Sequence, residues 1–308
     1  MSKAIVVGSI NMDIVAFVKK HPKIGETIFG NDVKYFPGGK GSNQAVSCKR
    51  IGCETAMIGR LGDDSNGQQM LEFLRNEGVN VSGVVKLEQT VTGTAFITVS
   101  ESSDNSIIVI SGANVLWGDE FLKDIDVNED DIVLAQFEVP DAVIEASFEH
   151  AKKYGALTIL NPAPVRQISD EILKRTDVMV VNEHELEELS GMPVSAKDDE
   201  TVFNAAEVLA HKGINSVVVT LGERGVRLFW DGQRKRINSR SVTAVDTTGA
   251  GDTFIGGLTA GLLKGGTLKQ AAELGNIAAS ISVTREGAAS SIPTIDEVNE
   301  IFGNNDGN

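Results

Sequence analysis

Ile132-Val-Leu-Ala-Gln136, Leu157-Thr-Ile-Leu-Asn161, Val178-Met-Val-Val-Asn182 and Ser216-Val-Val-Val-Thr220 set the rhythm of residues 131–220. Each is a short apolar run, rich in β-branched side chains, of the length of a fully buried strand. Between them, Asp141–Tyr154, Asp170–Arg175, Glu183–Ser190 and Thr201–Lys212 carry helical patterns. Strands alternating with helices predict a mostly parallel sheet covered on both faces. Ligands of such folds bind beyond the carboxyl ends of the strands. Gly8, Glu138, Asn161, Asn182, Thr220 and Gly222 all fall at such ends, and that shared placement points to one site.

Towards the N-terminus, Ala4–Val7 reads as a first strand and Ser42–Arg50 as a helix with Ser42 as its N-cap. Thr55–Gly59 reads as a strand and Ser65–Glu77 as an amphipathic helix. Val91–Ser100 alternates, with Thr92, Thr94, Phe96, Thr98 and Ser100 on one face and Ala95, Ile97 and Val99 on the other. A polar turn, Glu101–Asp104, leads to Asn105–Ile110, which predicts a hairpin. The strand-rich pieces near 13–36 and 91–111 interrupt the α/β pattern. They form either a small separate sheet over the site or an extension of the main sheet. Gly303–Asn308 reads as a frayed tail.

The 308 residues carry a formal net charge of -15, without a Lys/Arg cluster suited to nucleic acid or an anionic membrane. Cys48 and Cys53 lack the spacing of a zinc site and are expected to stay reduced in the cytoplasm. Met1–Gly8 reads as the start of a strand rather than a signal peptide, and no apolar run has the length of a membrane span.

Ala244-Val-Asp-Thr-Thr-Gly-Ala-Gly-Asp-Thr-Phe-Ile-Gly-Gly-Leu258 is a loop that turns into a helix. Gly249, Ala250 and Gly251 leave the first amides of that helix bare, and a bare helix start attracts anions. Asp252 stands inside this turn, where a carboxylate can take a proton beside a bound phosphate; its plainer reading is an acidic residue near a helix start. Pro37-Gly-Gly-Lys-Gly-Ser-Asn-Gln-Ala45 is not a P-loop, because Gly41 follows Lys40 and the spacer is missing. Lys40 and Asn43 can donate to hydroxyls or a phosphate, or the segment is a tight turn with Lys40 solvated. Asn11 and Asp13 suit vicinal hydroxyls, or form an Asx turn. Glu138 can accept from a polyol, or is a solvated strand-end residue. Asn182 either caps the helix after it or, with Glu185, positions phosphate-bound Mg²⁺ through water. Thr220-Leu-Gly-Glu-Arg-Gly225 suits a nucleotide edge, or is a hairpin turn into Val226–Trp230. Val7–Asp13 lacks the G-x-G-x-x-G of dinucleotide-binding folds.

Taken together, these motifs resemble the ribokinase family of sugar kinases, the phosphofructokinase-B superfamily. Gly38-Gly-Lys-Gly-Ser-Asn-Gln-Ala45 resembles its N-terminal signature and Asp246-Thr-Thr-Gly-Ala-Gly-Asp252 its C-terminal one. Asn161-Pro-Ala-Pro164, Val181-Asn-Glu-His-Glu185 and Thr220–Gly225 follow in the family's order, so the likeness spans residues 4–302. It implies a three-layer α/β/α fold with a mostly parallel central sheet, the whole of 1–308 forming one domain. A small β-sheet lid from about 13–36 and 91–111 would cover the site. By the same resemblance Asn11, Asp13, Gly39, Lys40, Asn43 and Glu138 would hold ribose, and Asp252 would take the proton from its O5. The amides of Ala250, Gly251 and Asp252 would form an anion hole. Asn182, Thr220, Gly222, Gly225 and Asn276 would touch ATP. An activating monovalent cation, usually K⁺, would sit at Asp246, Thr248, Ser282, Arg285, Gly287 and Ser291.

The expected reaction is in-line transfer of the ATP γ-phosphoryl to a sugar hydroxyl with Mg²⁺, in a cytoplasmic enzyme that pairs through its lid into a homodimer. Met12 departs from the smaller residue common at its position; aimed at the sugar, it would shift preference towards 2-deoxyribose, whereas Asn11 favours ribose. The rivals are a kinase of another sugar or a nucleoside and, from a different class, a non-catalytic sugar- or nucleotide-binding sensor.

Overall fold

The computed structural model describes residues 2–102 and 104–302. In chain order the strands are β1 (Lys3–Val7), β2 (Asn11–Val18), β3 (Gly30–Gly38), β4 (Glu54–Gly62), β5 (Asn80–Leu87), β6 (Gly93–Ser100), β7 (Asn105–Ile110), β8 (Ile132–Gln136), β9 (Leu157–Asn161), β10 (Val178–Asn182), β11 (Ser216–Thr220), β12 (Val226–Trp230) and β13 (Gln233–Ile237). The helices are α1 (Lys40–Arg50), α2 (Ser65–Asn76), α3 (Asp141–Lys153), α4 (Asp170–Lys174), α5 (Glu183–Ser190), α6 (Asp199–His211), α7 (Ala250–Leu263), α8 (Leu268–Ser282) and α9 (Ile295–Phe302).

The main sheet has the order β13-β12-β11-β10-β9-β8-β1-β4-β5. It is parallel from β11 to β5, and β12 and β13 run antiparallel at one edge. Successive side chains feed opposite cores: Ala4 and Val6 join α1, α2, α7, α8 and α9, while Ile5 and Val7 join α3 to α6. Burial on both faces is why these strands read as unbroken apolar runs. Leu134 is fully buried, and cutting it to Ala would cost about 2–5 kcal/mol.

A second, smaller sheet has the order β3-β2-β6-β7, separate from the first. The hairpin of β6 and β7 is present, with Thr98 opposite Ser106, and β6 runs parallel to β2. The strand-rich piece predicted at 13–36 starts earlier, at Asn11, and ends at Gly38. Chain passes between the sheets at Ile10–Asn11, Gly38–Gly39, Thr92–Gly93 and Ser111–Asn114, close to the ends of β1 and β4. The tail predicted at Gly303–Asn308 lies outside the described residues.

Two boundaries differ from expectation for physical reasons. Helix α1 begins at Lys40, and its N-cap is Gly39 at φ 88°, a left-handed conformation that glycine adopts without strain. Ser42, predicted as the cap, lies inside the first turn and donates its hydroxyl back to the carbonyls of Gly38 and Gly39. Helix α6 starts at Asp199 rather than Thr201, because Asp198 supplies the cap by accepting from Glu200 N.

Candidate active site

The start of α7 is held open. Gly249 caps it at φ 73° without a side-chain cap, and Thr253 N donates to Gly249 O at 2.8 Å. Ala250 N, expected in the anion hole, instead turns to Thr247 O at 3.2 Å. The amides of Gly251 and Asp252 find no acceptor among the described residues, so two bare N–H groups remain. A methyl group at 251 would meet nothing within 4 Å, so this side of the turn faces open space. Bare amides at the positive end of a helix dipole are suited to a phosphate.

Asp252 is only 6% exposed. Its Oδ2 accepts from Asn43 Nδ2 at 3.2 Å and its Oδ1 from Gln44 Nε2 at 3.0 Å. Burial raises the carboxyl above its ordinary range; Lys40, Gln44 and Asn43 oppose the rise without cancelling it, and Glu138 adds to it. A raised carboxylate pKa suits a general base working near neutrality. Behind it runs a chain of buried amides absent from the sequence-based site. Gln136 Nε2 donates to Gln44 Oε1 at 2.7 Å, and Gln44 Nε2 also reaches Asn161 Oδ1 at 3.2 Å. Gln44 and Gln136 both lie inside quoted motifs, but nothing in their spacing told which of the motif residues turn inward.

At Glu138, whose charge acts on Asp252, opens a recess of about 580 Å³ whose lining includes Asn11, Ser111, Asn114 and Pro164. Asn11 and Asp13 project from one face of β2, since they are two residues apart on a strand. They are strand residues, not an Asx turn. Burial, reinforced by Glu138, pushes the Asp13 carboxyl up to about 7. Glu138 is anchored rather than solvated: its Oε2 accepts from Ser9 Oγ at 2.5 Å and from Lys40 N at 3.0 Å. Burial opposes the charge on Lys40, but Asp252, Glu138 and Glu185 outweigh it and hold the ammonium above its usual range. Asn43 Oδ1 is buried without a partner, and such an orphan acceptor asks for a ligand donor or a water. Met12 points the other way and is 3% exposed, beside a separate hollow lined by Pro37 of β3 and Met70 and Phe73 of α2.

The residues expected at a nucleotide have mixed fates. Asn182 does cap α5: its Oδ1 accepts from Glu185 N at 2.8 Å, and Asn182 N donates to Glu185 Oε2 at 2.9 Å. That capping box uses one side-chain oxygen of each and leaves Asn182 Nδ2 and Glu185 Oε1 available. Burial raises Glu185, although Asn182 N, Lys40 and His184 oppose the rise. Thr220 Oγ1 donates to Val181 O at 3.3 Å. Gly222 borders open space, whereas a methyl group at Gly225 would lie 2.2 Å from Ile237 O. Packing against the end of β13 therefore accounts for Gly225. Asn276 Nδ2 donates to Asn238 O at 2.9 Å.

Two loops meet where the cation ligands were expected. Asp246 Oδ1 accepts from Thr248 N at 2.9 Å and Thr248 Oγ1 at 2.7 Å, and its Oδ2 accepts from Gly287 N at 2.8 Å. Val245 N reaches Val283 O at 2.7 Å. Burial opposes the Asp246 charge, but these three donors hold its carboxyl below the ordinary range. Ser282 O accepts from Arg285 N at 3.0 Å, and Ser291 N and Oγ both turn to Ala288 O. The Arg285 guanidinium pairs with Glu297, so only its backbone faces these loops. Among the described residues no group of three or more His, Cys, Asp or Glu side chains could hold a metal.

A buried carboxylate, two bare amides at a helix start and a recess between two sheets fit an enzyme that phosphorylates a hydroxyl. The chain belongs to the pfkB family of carbohydrate kinases, whose pattern it matches over residues 1–295. It is 41% identical over 299 residues to a ribokinase of Haemophilus influenzae, covering 96% of this chain and 97% of that protein. It is 36% identical over 307 residues to a deoxyribokinase of Salmonella typhi, covering 98% and 99%. The structure of Arabidopsis thaliana ribokinase complexed with ribose and ATP superposes with a TM-score of 0.91 at 32% identity, covering 98% of this chain and 99% of that one. No described helix is long and apolar enough to cross a membrane.

Proposed function

We propose that this protein transfers the γ-phosphoryl group of ATP to the O5 hydroxyl of D-ribose, giving ribose 5-phosphate and ADP. The observation that carries the reading is the seating of Asp252, a buried carboxylate held by Asn43 and Gln44 one residue from the bare amide of Gly251. Asn11 and Asp13 bind ribose hydroxyls from β2, Glu138 and Lys40 from the main-sheet side, and the orphan Asn43 Oδ1 accepts from another. Asp252 removes the O5 proton while the amides of Gly251 and Asp252 hold the transferring phosphoryl. Asn182, Thr220, Gly222 and Asn276 would face ATP, and Glu185 would help to hold phosphate-bound Mg²⁺ through water. Mg²⁺ supplies charge neutralisation of the phosphates. The loops at Asp246–Thr248 and Ser282–Ser291 would hold K⁺, whose charge would help to order the segment that presents the bare amides.

The smaller sheet serves as a lid that keeps water from the γ-phosphate. Its register aligns Tyr35, Ile14, Phe96 and Ile108 across all four strands, and Tyr35, Phe96 and Ile108 stay exposed. An exposed apolar row of this kind suits a second copy, giving a homodimer through the lid. The reaction belongs in the cytoplasm, with ATP.

The resemblance to a deoxyribokinase supports a second reading, in which 2-deoxyribose is the preferred sugar. Steady-state kinetics with ribose, 2-deoxyribose, fructose and a nucleoside at one ATP concentration decide between them. Ribose should show the highest kcat/KM, and a preference of roughly tenfold or more for any other acceptor overturns the ribose assignment.

A further inference from the structure

Asn114 follows β7, where the chain returns from the smaller sheet to the main one, and it is 2% exposed. Its side chain spans two crossings between the sheets. Oδ1 accepts from Ile10 N at 2.9 Å, while Nδ2 donates to Asn11 Oδ1 at 2.6 Å and to Ile10 O at 3.4 Å. The amide can satisfy all three groups in one orientation only, because a flip would set oxygen against Asn11 Oδ1 and Ile10 O. Asn11 is fixed in turn: with Oδ1 committed to Asn114, its Nδ2 is the group left for a ligand. Gly93 makes the pairing possible, since a methyl group there would lie 2.1 Å from Asn114 Nδ2 and 2.2 Å from Asn11 Oδ1. The backbone of Asn114 is held from outside as well. Trp117 Nε1 donates to Asn114 O at 2.7 Å, and the Arg60 guanidinium lies 4.4 Å from the Trp117 ring centre.

We infer that Asn114 is a positioning residue for sugar binding, which fixes the Asn11 amide as a hydrogen-bond donor and ties it to the joint on which the smaller sheet is mounted. The inference rests on the sugar-kinase reading of the recess. It assigns Asn114 no contact with the reacting atoms. Sugar affinity is then set partly by a residue that returns from β7, so the smaller sheet and the sugar-binding asparagine are coupled mechanically.

The test is a double-mutant cycle on sugar binding by calorimetry, without nucleotide, using Asn114→Asp, Asn11→Ala and the double variant. In Asn114→Asp the second oxygen faces Asn11 Oδ1, and Asn11 must turn its own carbonyl into the recess. Sugar Kd should rise roughly tenfold or more, with the KM for ATP unchanged, and the effect should largely vanish in the Asn11→Ala background. Additive effects of the two substitutions, or an unchanged Kd in Asn114→Asp, overturn the inference. If Asn114→Asp does not fold, a crystal structure of the unmodified protein with sugar decides. Asn11 Nδ2 should reach a sugar oxygen with Oδ1 still on Asn114, and a released Oδ1 overturns the inference. The sugar used is whichever one the unmodified protein binds. Lack of ribose binding therefore removes the ribose assignment and leaves the Asn114 cycle to be read on its own.

Discussion

Gln44 Nε2 donates to Asp252 Oδ1 at 3.0 Å in a fully buried setting, and Gln136 Nε2 fixes the donor by holding Gln44 Oε1 at 2.7 Å. A donor to the charged form favours ionisation, so this bond keeps the Asp252 carboxyl lower than burial alone would leave it. Replacing Gln44 by Leu removes the donor and should raise that pKa further. In the proposed role of base Asp252 works as the carboxylate, so activity should be lost as pH falls through its pKa. The acid limb of the pH profile of kcat should therefore move to higher pH. A limb that stays in place while kcat falls would mean that Gln44 only fills space.

Asp252→Asn keeps the shape and most of the burial but cannot take a proton. It should lower kcat by roughly 10²–10⁴-fold, the usual contribution of general base catalysis. Sugar binding, measured by calorimetry, should stay measurable because Asn11, Asp13 and Glu138 are untouched. Turnover within a fewfold of the unmodified protein would remove Asp252 from the role of base.

The regular part of the fold was legible because parallel strands buried on two faces must be apolar throughout, as Val178–Asn182 and Ser216–Thr220 are. The edges were not. Strand β5 lies at one edge of the sheet with alternating exposure, and β13, at the other edge, is charged along Arg234, Lys235 and Arg236. Edge strands of this kind avoid apolar patterning, which protects them from pairing with other chains. Strand-end residues such as Glu138 and Asn182 were visible as a set, because the end of a strand can be read from where its apolar run stops. The cap that holds Asn182 is local and was legible as well, but the distant partners of the other site residues were not. Ser9, Gln136 and Asn114 meet Glu138, Gln44 and Asn11 across separations of 129, 92 and 103 residues, which no local pattern encodes.

Met12 lies between Asn11 and Asp13 in sequence but on the opposite face of β2. It packs against α2 and is buried in the core that holds Met70 and Leu71. It therefore cannot act on the sugar by direct contact. Met12→Leu, a volume-conserving change, should cost less than about 1.5 kcal/mol of stability. The ratio of kcat/KM for ribose to that for 2-deoxyribose should stay within about twofold, since neither sugar meets the altered side chain. A large change in that ratio would show that packing behind β2 sets the sugar preference.

On the proposed reading, Asp13 ties sugar binding to stability. Its carboxyl rises from 3.8 to about 7, first through burial and then through Glu138. A carboxyl raised in the folded state favours folding at low pH, and that advantage is lost as pH climbs from about 4 through about 7. Above that window the unliganded protein carries a buried carboxylate at a cost on the order of a few kcal/mol. Sugar hydroxyls that donate to the carboxylate would relieve this cost, so ribose affinity should increase as pH rises through about 7. Asp13→Asn removes the charge. Without sugar it should melt at a higher temperature than the unmodified protein at about pH 8 and lose that advantage at about pH 4. The same variant should bind ribose at least roughly tenfold more weakly at the higher pH, because an amide offers one acceptor where the carboxylate offers two. Calorimetric titrations and melting curves across this range check both expectations. A ribose affinity that does not change between about pH 6 and about pH 8 would show that Asp13 binds sugar equally well with its proton, and the site would then need a different acceptor for the hydroxyls.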